Sequence, residues 1–382
     1  MKIVIACDSF KGSCSSKQVA DSVEKGIKSV IPDCRVEKIP VADGGEGTTK
    51  TLTGALGGCF VKTVTHDPLM RKKESSYGFA EEKKTAMMEM AETSGLPLVP
   101  AGMRNPLLTT TFGTGEMILD ALERGCRKFI IGIGGSATND GGMGMMQALG
   151  ASFYDKENKR LGYGGEQLLK VARIDVSSLK PEALQSEFTI ICDVDNPLYG
   201  KNGAAHVFAP QKGASERDVE ILDAGLRNYA EVIKKDLSKD IASVPGSGAA
   251  GGLGAAFLAF LPAVLKPGIQ CILDILNFDD LLKDADWVIT GEGKLDRQTI
   301  MGKVPVGVLN RARMFDIPVI AIGGSVEDAD VLNEAGFLSV LSIQNAPVHL
   351  ERAMEIAYTQ ANIEQTVSQI IRIVTSNKSL NF

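Results

Sequence analysis

The sequence predicts an α/β protein of two domains, a discontinuous parallel-sheet domain carrying an inserted mixed-sheet α/β domain. Three observations predict it. Short apolar runs repeatedly end in glycine or a carboxylate and then lead into helical patterns, the alternation of parallel α/β sheets. Residues 59–91 break that alternation. The chain has 382 residues, long for a single core.

The runs can be taken in order. Residues 2–7 lead to Asp8, and 35–41 lead to Asp43-Gly44-Gly45-Glu46. Residues 129–133 lead to a glycine-rich turn, 188–192 to Asp193, and 287–290 to Gly291-Glu292-Gly293-Lys294. Residues 318–322 lead to Gly323-Gly324-Ser325 and 338–343 to Gln344-Asn345. In the exceptional region, residues 59–66, 74–80 and 84–91 are rich in Val, Thr and Met with no helical segment between them. They are expected to pair antiparallel and to mark the switch into the second domain near residue 66. The parallel pattern resumes at Trp287. The expected domains are therefore 1–66 with 285–382, and 67–284. The apolar run at 255–265 is too short for a bilayer, which needs about 20 residues, and reads as a buried helix.

Composition narrows the function. Hydrophobic residues make up 44% and charged residues 23%, an ordinary globular balance. Net charge is −6 with no basic block, which argues against nucleic-acid binding. The 41 glycines cluster at strand ends, where ligand loops sit. None of the seven cysteines forms a Cys-x-x-Cys pair, so structural zinc and disulfides are not expected and a reducing cytoplasm fits. The N-terminus starts in a strand-like run without signal-peptide architecture.

The polar residues at these run ends lie where open α/β sheets place ligands, outside the carboxyl ends of the strands. In the turn Gly134-Gly135-Ser136-Ala137-Thr138-Asn139-Asp140, glycine lets backbone N–H groups converge on an anion, and a helix N-terminus adds partial positive charge. Ser136, Thr138, Asn139 and Asp140 add hydroxyl, amide and carboxylate groups suited to phosphate or a phosphate-bound metal. A tight turn for helix–strand packing is the alternative. Asp8 and Ser9 with Lys11 offer a carboxylate, a hydroxyl and a cation; alternatively Asp8 or Ser9 caps the next helix. Asp43 and Glu46, spaced by glycines, can bind Mg²⁺ together with water and phosphate. Asp193 and Asp195 share one side of an extended segment ending at Asn196-Pro197; there a carboxylate can hold metal or accept a substrate proton, or form an Asx turn. In the segment 290–299, Lys294, Arg297 and the nearby Lys303 can clamp phosphoryl oxygens, while Glu292 or Asp296 binds metal or substrate. The glycine-rich segment 245–254 supplies either further N–H donors or close packing.

Together these segments resemble the bacterial glycerate kinase family over essentially the whole chain. The resemblance is carried by Ile3–Gly12, by Pro40-Val41-Ala42-Asp43-Gly44-Gly45-Glu46-Gly47-Thr48, and by the turn from Gly132 to Gly142. Cys192-Asp193-Val194-Asp195-Asn196-Pro197-Leu198 and Thr290-Gly291-Glu292-Gly293-Lys294-Leu295-Asp296 complete the set. It implies a flavodoxin-like domain with an inserted mixed α/β domain, dependence on ATP and Mg²⁺, and D-glycerate as the small-molecule substrate, with 2-phosphoglycerate favoured over 3-phosphoglycerate.

On this reading Asp193, Lys11, Lys294 and Arg297 are expected to carry the chemistry. Asp8, Ser9, Gly134, Gly135, Ser136, Thr138, Asn139, Asp140, Asn196, Gly291, Asp296 and Thr299 are expected to meet substrate or phosphate. Asp43, Glu46, Asp195 and Glu292 are expected to meet metal. Which of Arg297, Lys11 and Lys294 meets the glycerate carboxylate stays open. A kinase of another small hydroxy acid and a non-catalytic sensor of a phosphorylated metabolite are the alternatives. No membrane or nucleic-acid partner is expected, and a homodimer is compatible with the sequence.

Overall fold

The computed structural model describes residues 1–39, 41 and 47–376. The metal-ligand expectations at Asp43 and Glu46 lie outside the described residues. The chain divides into two compact units, Met1–Asp43 with Ile269–Phe382, and Gly44–Gly268. The boundaries therefore fall at 43/44 and 268/269 and not at the expected 66/67 and 284/285. Residues 59–66 form a strand that pairs along its whole length inside the second unit. Ile269, Leu273, Phe278 and Leu282 share a core with Val4, Ala6 and Val288 of the first.

In the first unit, β1 (Lys2–Cys7), β2 (Arg35–Lys38), β11 (Trp287–Leu295), β12 (Val319–Val326) and β13 (Ser339–Ser342) form a parallel sheet in the order β13-β12-β11-β1-β2. β1 is buried throughout because its residues pack on both faces. Val4 and Ala6 join one apolar cluster, with Val304, Val308 and Leu309 of the helix Val304–Arg313. Ile3, Ile5 and Cys7 join the other, with Val19, Val23 and Ile27 of the helix Ser16–Lys28 and Ile363 and Val367 of Ile356–Ser376. The alternation is the two-residue period of a strand. From β1 the chain crosses to β2 on one side, whereas from β11 it crosses to β12 and β13 on the other. The strand order thus reverses between β1 and β11, and ligands in such sheets bind outside the carboxyl ends at that reversal.

In the second unit, β3 (Cys59–His66), β4 (Lys72–Ala80) and β5 (Thr85–Glu89) pair antiparallel. β6 (Lys128–Gly132) then adds parallel to β5. The hairpin β7 (Ser152–Tyr154) and β8 (Arg173–Asp175) stands apart. β9 (Glu187–Ile191) and β10 (Ala263–Lys266) complete a mixed sheet, β10-β9-β6-β5-β4-β3. Phe129 of β6 and Phe188 of β9 stack at 4.6 Å between ring centroids. The run at 255–265 is only partly helical: the helix Ala249–Phe260 ends and the chain enters β10, which pairs with β9. Among the described residues no helix is long and apolar enough to cross a membrane.

Candidate active site

In the first unit, a cavity of about 640 Å³ opens at the strand-order reversal. Asp8, Ser9 and Lys11 reach it from the end of β1, Glu292 and Lys294 from β11, and Lys303 from the start of Val304–Arg313. The Asp8 N–H donates to Gly291 O at 2.8 Å, which ties the two strand ends together. Asp8 is buried, and its Oδ1 accepts from Ser9 N at 2.6 Å. Neither residue caps the helix Ser16–Lys28; Ser15 does, in a capping box with Gln18. Phe10, Ile343, Pro347, Val348 and Met354 give the cavity an apolar wall.

Glu292 and Lys294 lie within β11, not in a loop, because the pairing with β12 continues as Glu292↔Gly323 and Lys294↔Ser325. Glu292 is buried, and Thr299 Oγ1 donates to its Oε1 at 2.6 Å. Burial pushes the Glu292 carboxyl up, opposed by Thr299 and Lys303. Lys303 Nζ stands 3.6 Å from Glu292 Oε1 and 3.9 Å from Asp296 Oδ1. Lys294 Nζ stands 3.4 Å from Asp296 Oδ2 and 3.0 Å from Glu327 Oε2. Acids and bases thus alternate along one rim.

Several expected residues serve that frame. Thr299 is fully buried and orients Glu292. Asp296 caps the turn Arg297–Ile300, accepting from Gln298 N at 2.9 Å. Gly291 sits inside β11, where a side chain would meet Ile322 O. Arg297 does not line the cavity; it is exposed and 3.5 Å from Asp328.

In the second unit, the glycine-rich turn follows β6 and the Asp193 segment follows β9, the strand beside it. Both lie at one carboxyl edge. Gly134 and Gly135 are exposed, and Gly135 has φ +74°. The turn is stitched down by Leu96 N to Gly135 O and by Ala137 N to Ser94 O, both 2.8 Å. Asp140 is fully buried, and donors of the protein itself surround its carboxylate. Its Oδ2 accepts from Thr111 N at 2.8 Å, Thr111 Oγ1 at 2.9 Å, Thr110 Oγ1 at 3.2 Å and Gly144 N at 3.2 Å, and Oδ1 accepts from Gly142 N at 3.2 Å. Burial raises its carboxyl and these donors oppose the shift. Thr138 Oγ1 and the Asn139 amide are buried without a partner.

Asp193 is exposed, with Gly268 N donating to its Oδ1 at 2.7 Å. Asp195 is exposed as well. Asn196 holds its own loop, donating from Nδ2 to Asn202 O at 2.8 Å. The segment 245–254 is close packing: a side chain at Gly251, which has φ +68°, would meet Thr138 O at 2.1 Å. Among the described residues no three His, Cys, Asp or Glu side chains gather as a metal cage.

Residues 3–375 match the glycerate kinase family. The chain belongs to the glycerate kinase family. Glycerate 2-kinase of Escherichia coli K12 is 49% identical over 359 residues, 94% of each chain. Glycerate kinase of Halalkalibacterium halodurans is 45% identical over 378 residues, 99% of each. A crystal structure from Salmonella typhimurium LT2, provisionally described as glycerate kinase 2, matches with a TM-score of 0.90 at 44% identity over 100% of both chains. The family is one of phosphotransferases.

In this family member the sequence reading passed over Lys212. It ends the short helical turn Pro210–Lys212 and is only 1% exposed. Nζ lies 2.7 Å from both Ser136 Oγ and Thr138 O. Burial pushes the ammonium down to about 7, with Asp140 opposing. An unfolded lysine titrates near 10.4. Between these values the unfolded chain binds more protons than the folded one, so stability rises with pH. From pH 7 to pH 9 this group is expected to add about 2 kcal/mol. Urea unfolding of Lys212→Met at both pH values should lack that gain; the same rise in both proteins would contradict the assignment.

Proposed function

We propose that this protein transfers the γ-phosphoryl group of ATP to the 2-hydroxyl of D-glycerate, giving 2-phosphoglycerate and ADP, with Mg²⁺ and in the cytoplasm. The observation that carries the reading is the 49% identity over 94% of each chain with the protein named glycerate 2-kinase. Phosphoryl transfer asks for positioning and charge neutralisation more than for covalent chemistry. The cavity supports that demand: Lys11, Lys294 and Lys303 are cations on one wall beside an apolar one suited to a nucleobase. Asp8 and Ser9 line it as well.

The Mg²⁺ reading rests on the donor set. Glu292 and Asp296 both turn an oxygen toward Lys303 Nζ, so this rim already gathers two carboxylates around positive charge. Mg²⁺ is usually held by one or two carboxylates, with water and phosphate completing the shell. Glu292, with Asp296 beside it, would hold the ion, which when bound neutralises charge on the phosphates. Asp195 stands near Asp193 in sequence and remains a second candidate.

Asp193 takes the proton of the glycerate hydroxyl as that oxygen bonds to the γ-phosphorus and the bond to ADP breaks. The exposed face of the turn at Gly134 and Gly135, with Ser136 buried next to it, receives an anionic group of a substrate. Gly135→Val forces a branched side chain to φ +74°, a strain of about 1–3 kcal/mol. The expected outcome is a KM raised roughly tenfold or more for ATP or D-glycerate, the size of a lost anion contact. Unchanged KM and kcat would make the turn structural.

The direct test is ADP release by purified protein with ATP, Mg²⁺ and a panel of D-glycerate, L-glycerate, glycolate and D-lactate. D-Glycerate is expected to give the fastest release. Faster turnover of another hydroxy acid, or binding without turnover, would overturn the reading.

A further inference from the structure

We infer that Lys212 is a positioning residue of the anion-receiving turn, acting through the Ser136 hydroxyl. The inference rests on the proposed role of that turn and adds a residue to it. A charged ammonium has three N–H donors and no acceptor. Toward Ser136, 2.7 Å away, the charged form therefore donates, and Oγ accepts. Thr138 O takes a second N–H at 2.7 Å. With its oxygen accepting from Lys212, Ser136 has its own O–H left to donate, and among the described residues no protein acceptor meets it. Gly134 and Gly135, immediately before it, are exposed, so an approaching phosphate or carboxylate oxygen is the acceptor this geometry suits.

The turn buries a charge together with unpartnered polar groups. Burying an ammonium is expensive unless it is paired. The charge that acts on Lys212 is Asp140, whose oxygens already accept from Thr110, Thr111, Gly142 and Gly144. Thr138 Oγ1 and both polar atoms of the Asn139 amide lie buried and unpartnered in the same turn. An anion at the turn offsets the lysine's charge and supplies the Ser136 hydroxyl with its acceptor. A lysine that only braced the turn would need its bond to Thr138 O and no hydroxyl at residue 136.

The experiment is a double-mutant cycle of Lys212→Met and Ser136→Ala in the full chain. KM and kcat are measured separately for ATP and for D-glycerate. Each single variant is expected to raise the KM of the same substrate by roughly tenfold to a hundredfold, the range of a hydrogen bond to a charged group. The corresponding change in kcat should be smaller, and the double variant no worse than the worse single. Effects on different substrates, multiplicative effects, or an unchanged KM with a lowered melting temperature would overturn the inference. If Lys212→Met does not fold, Ser136→Ala decides alone: unchanged KM for both substrates overturns it, and a raised KM supports it. Calorimetric titration with inorganic phosphate reads the turn without turnover. Should the wild-type chain fail to phosphorylate D-glycerate, the reading of function falls. Weaker phosphate binding by Lys212→Met than by wild type would still support the positioning role, and equal binding would overturn it.

Discussion

Asp193→Asn is expected to lower kcat at least about 100-fold, the range of a lost general base, with the fold intact. The variant isolates chemistry from structure. An asparagine oxygen still accepts from Gly268 N, the bond that Asp193 makes at 2.7 Å, but an amide cannot take the proton of an attacking hydroxyl. Asp193 lies exposed at the carboxyl edge, beyond β9. Steady-state kinetics with D-glycerate, alongside a melting curve, checks the expectation. Near-normal turnover in a folded variant would remove Asp193 from the chemistry.

The second large effect is on stability. Asp140→Ala removes an acceptor shared by buried donors: Thr111 N and Oγ1, Thr110 Oγ1, Gly142 N and Gly144 N. Each backbone N–H left buried without a partner costs about 1–3 kcal/mol. The expected loss is about 3–5 kcal/mol, as for other broken buried networks. It appears as a lower urea midpoint with an unchanged slope. A loss below about 1 kcal/mol would mean that water replaces the carboxylate, and the internal role assigned here would fail.

Asp140 also shows where sequence reading stops. The glycine turn, its strand and its helix were legible from composition and punctuation. So was β1, whose bounds match the expected 2–7. Whether a carboxylate in that turn faces outward or inward was not legible, because its donors Thr110 and Thr111 lie about thirty residues earlier. The same limit hid Lys212, since its burial comes from packing and not from its neighbours in sequence. Glu292 and Lys294 looked like loop residues because glycines flank them, yet pairing with β12 holds them extended; tertiary context overrides propensity there. Residues 263–265 were absorbed into an apolar helix because short apolar runs do not separate helix from strand. The domain boundary slipped for a related reason. β3 precedes the first antiparallel turn in sequence, but its hydrogen bonds belong to the second unit.

Phosphorus-31 NMR of the reaction of wild-type protein with ATP, Mg²⁺ and D-glycerate tests the central claim most directly. A phosphate on the 2-oxygen couples to the single proton of its carbon, whereas one on the 3-oxygen couples to two. The account predicts a new phosphomonoester doublet that grows as the ATP γ-phosphate signal is lost. A triplet would contradict transfer to the 2-hydroxyl, and loss of the γ-phosphate into inorganic phosphate alone would contradict the kinase itself.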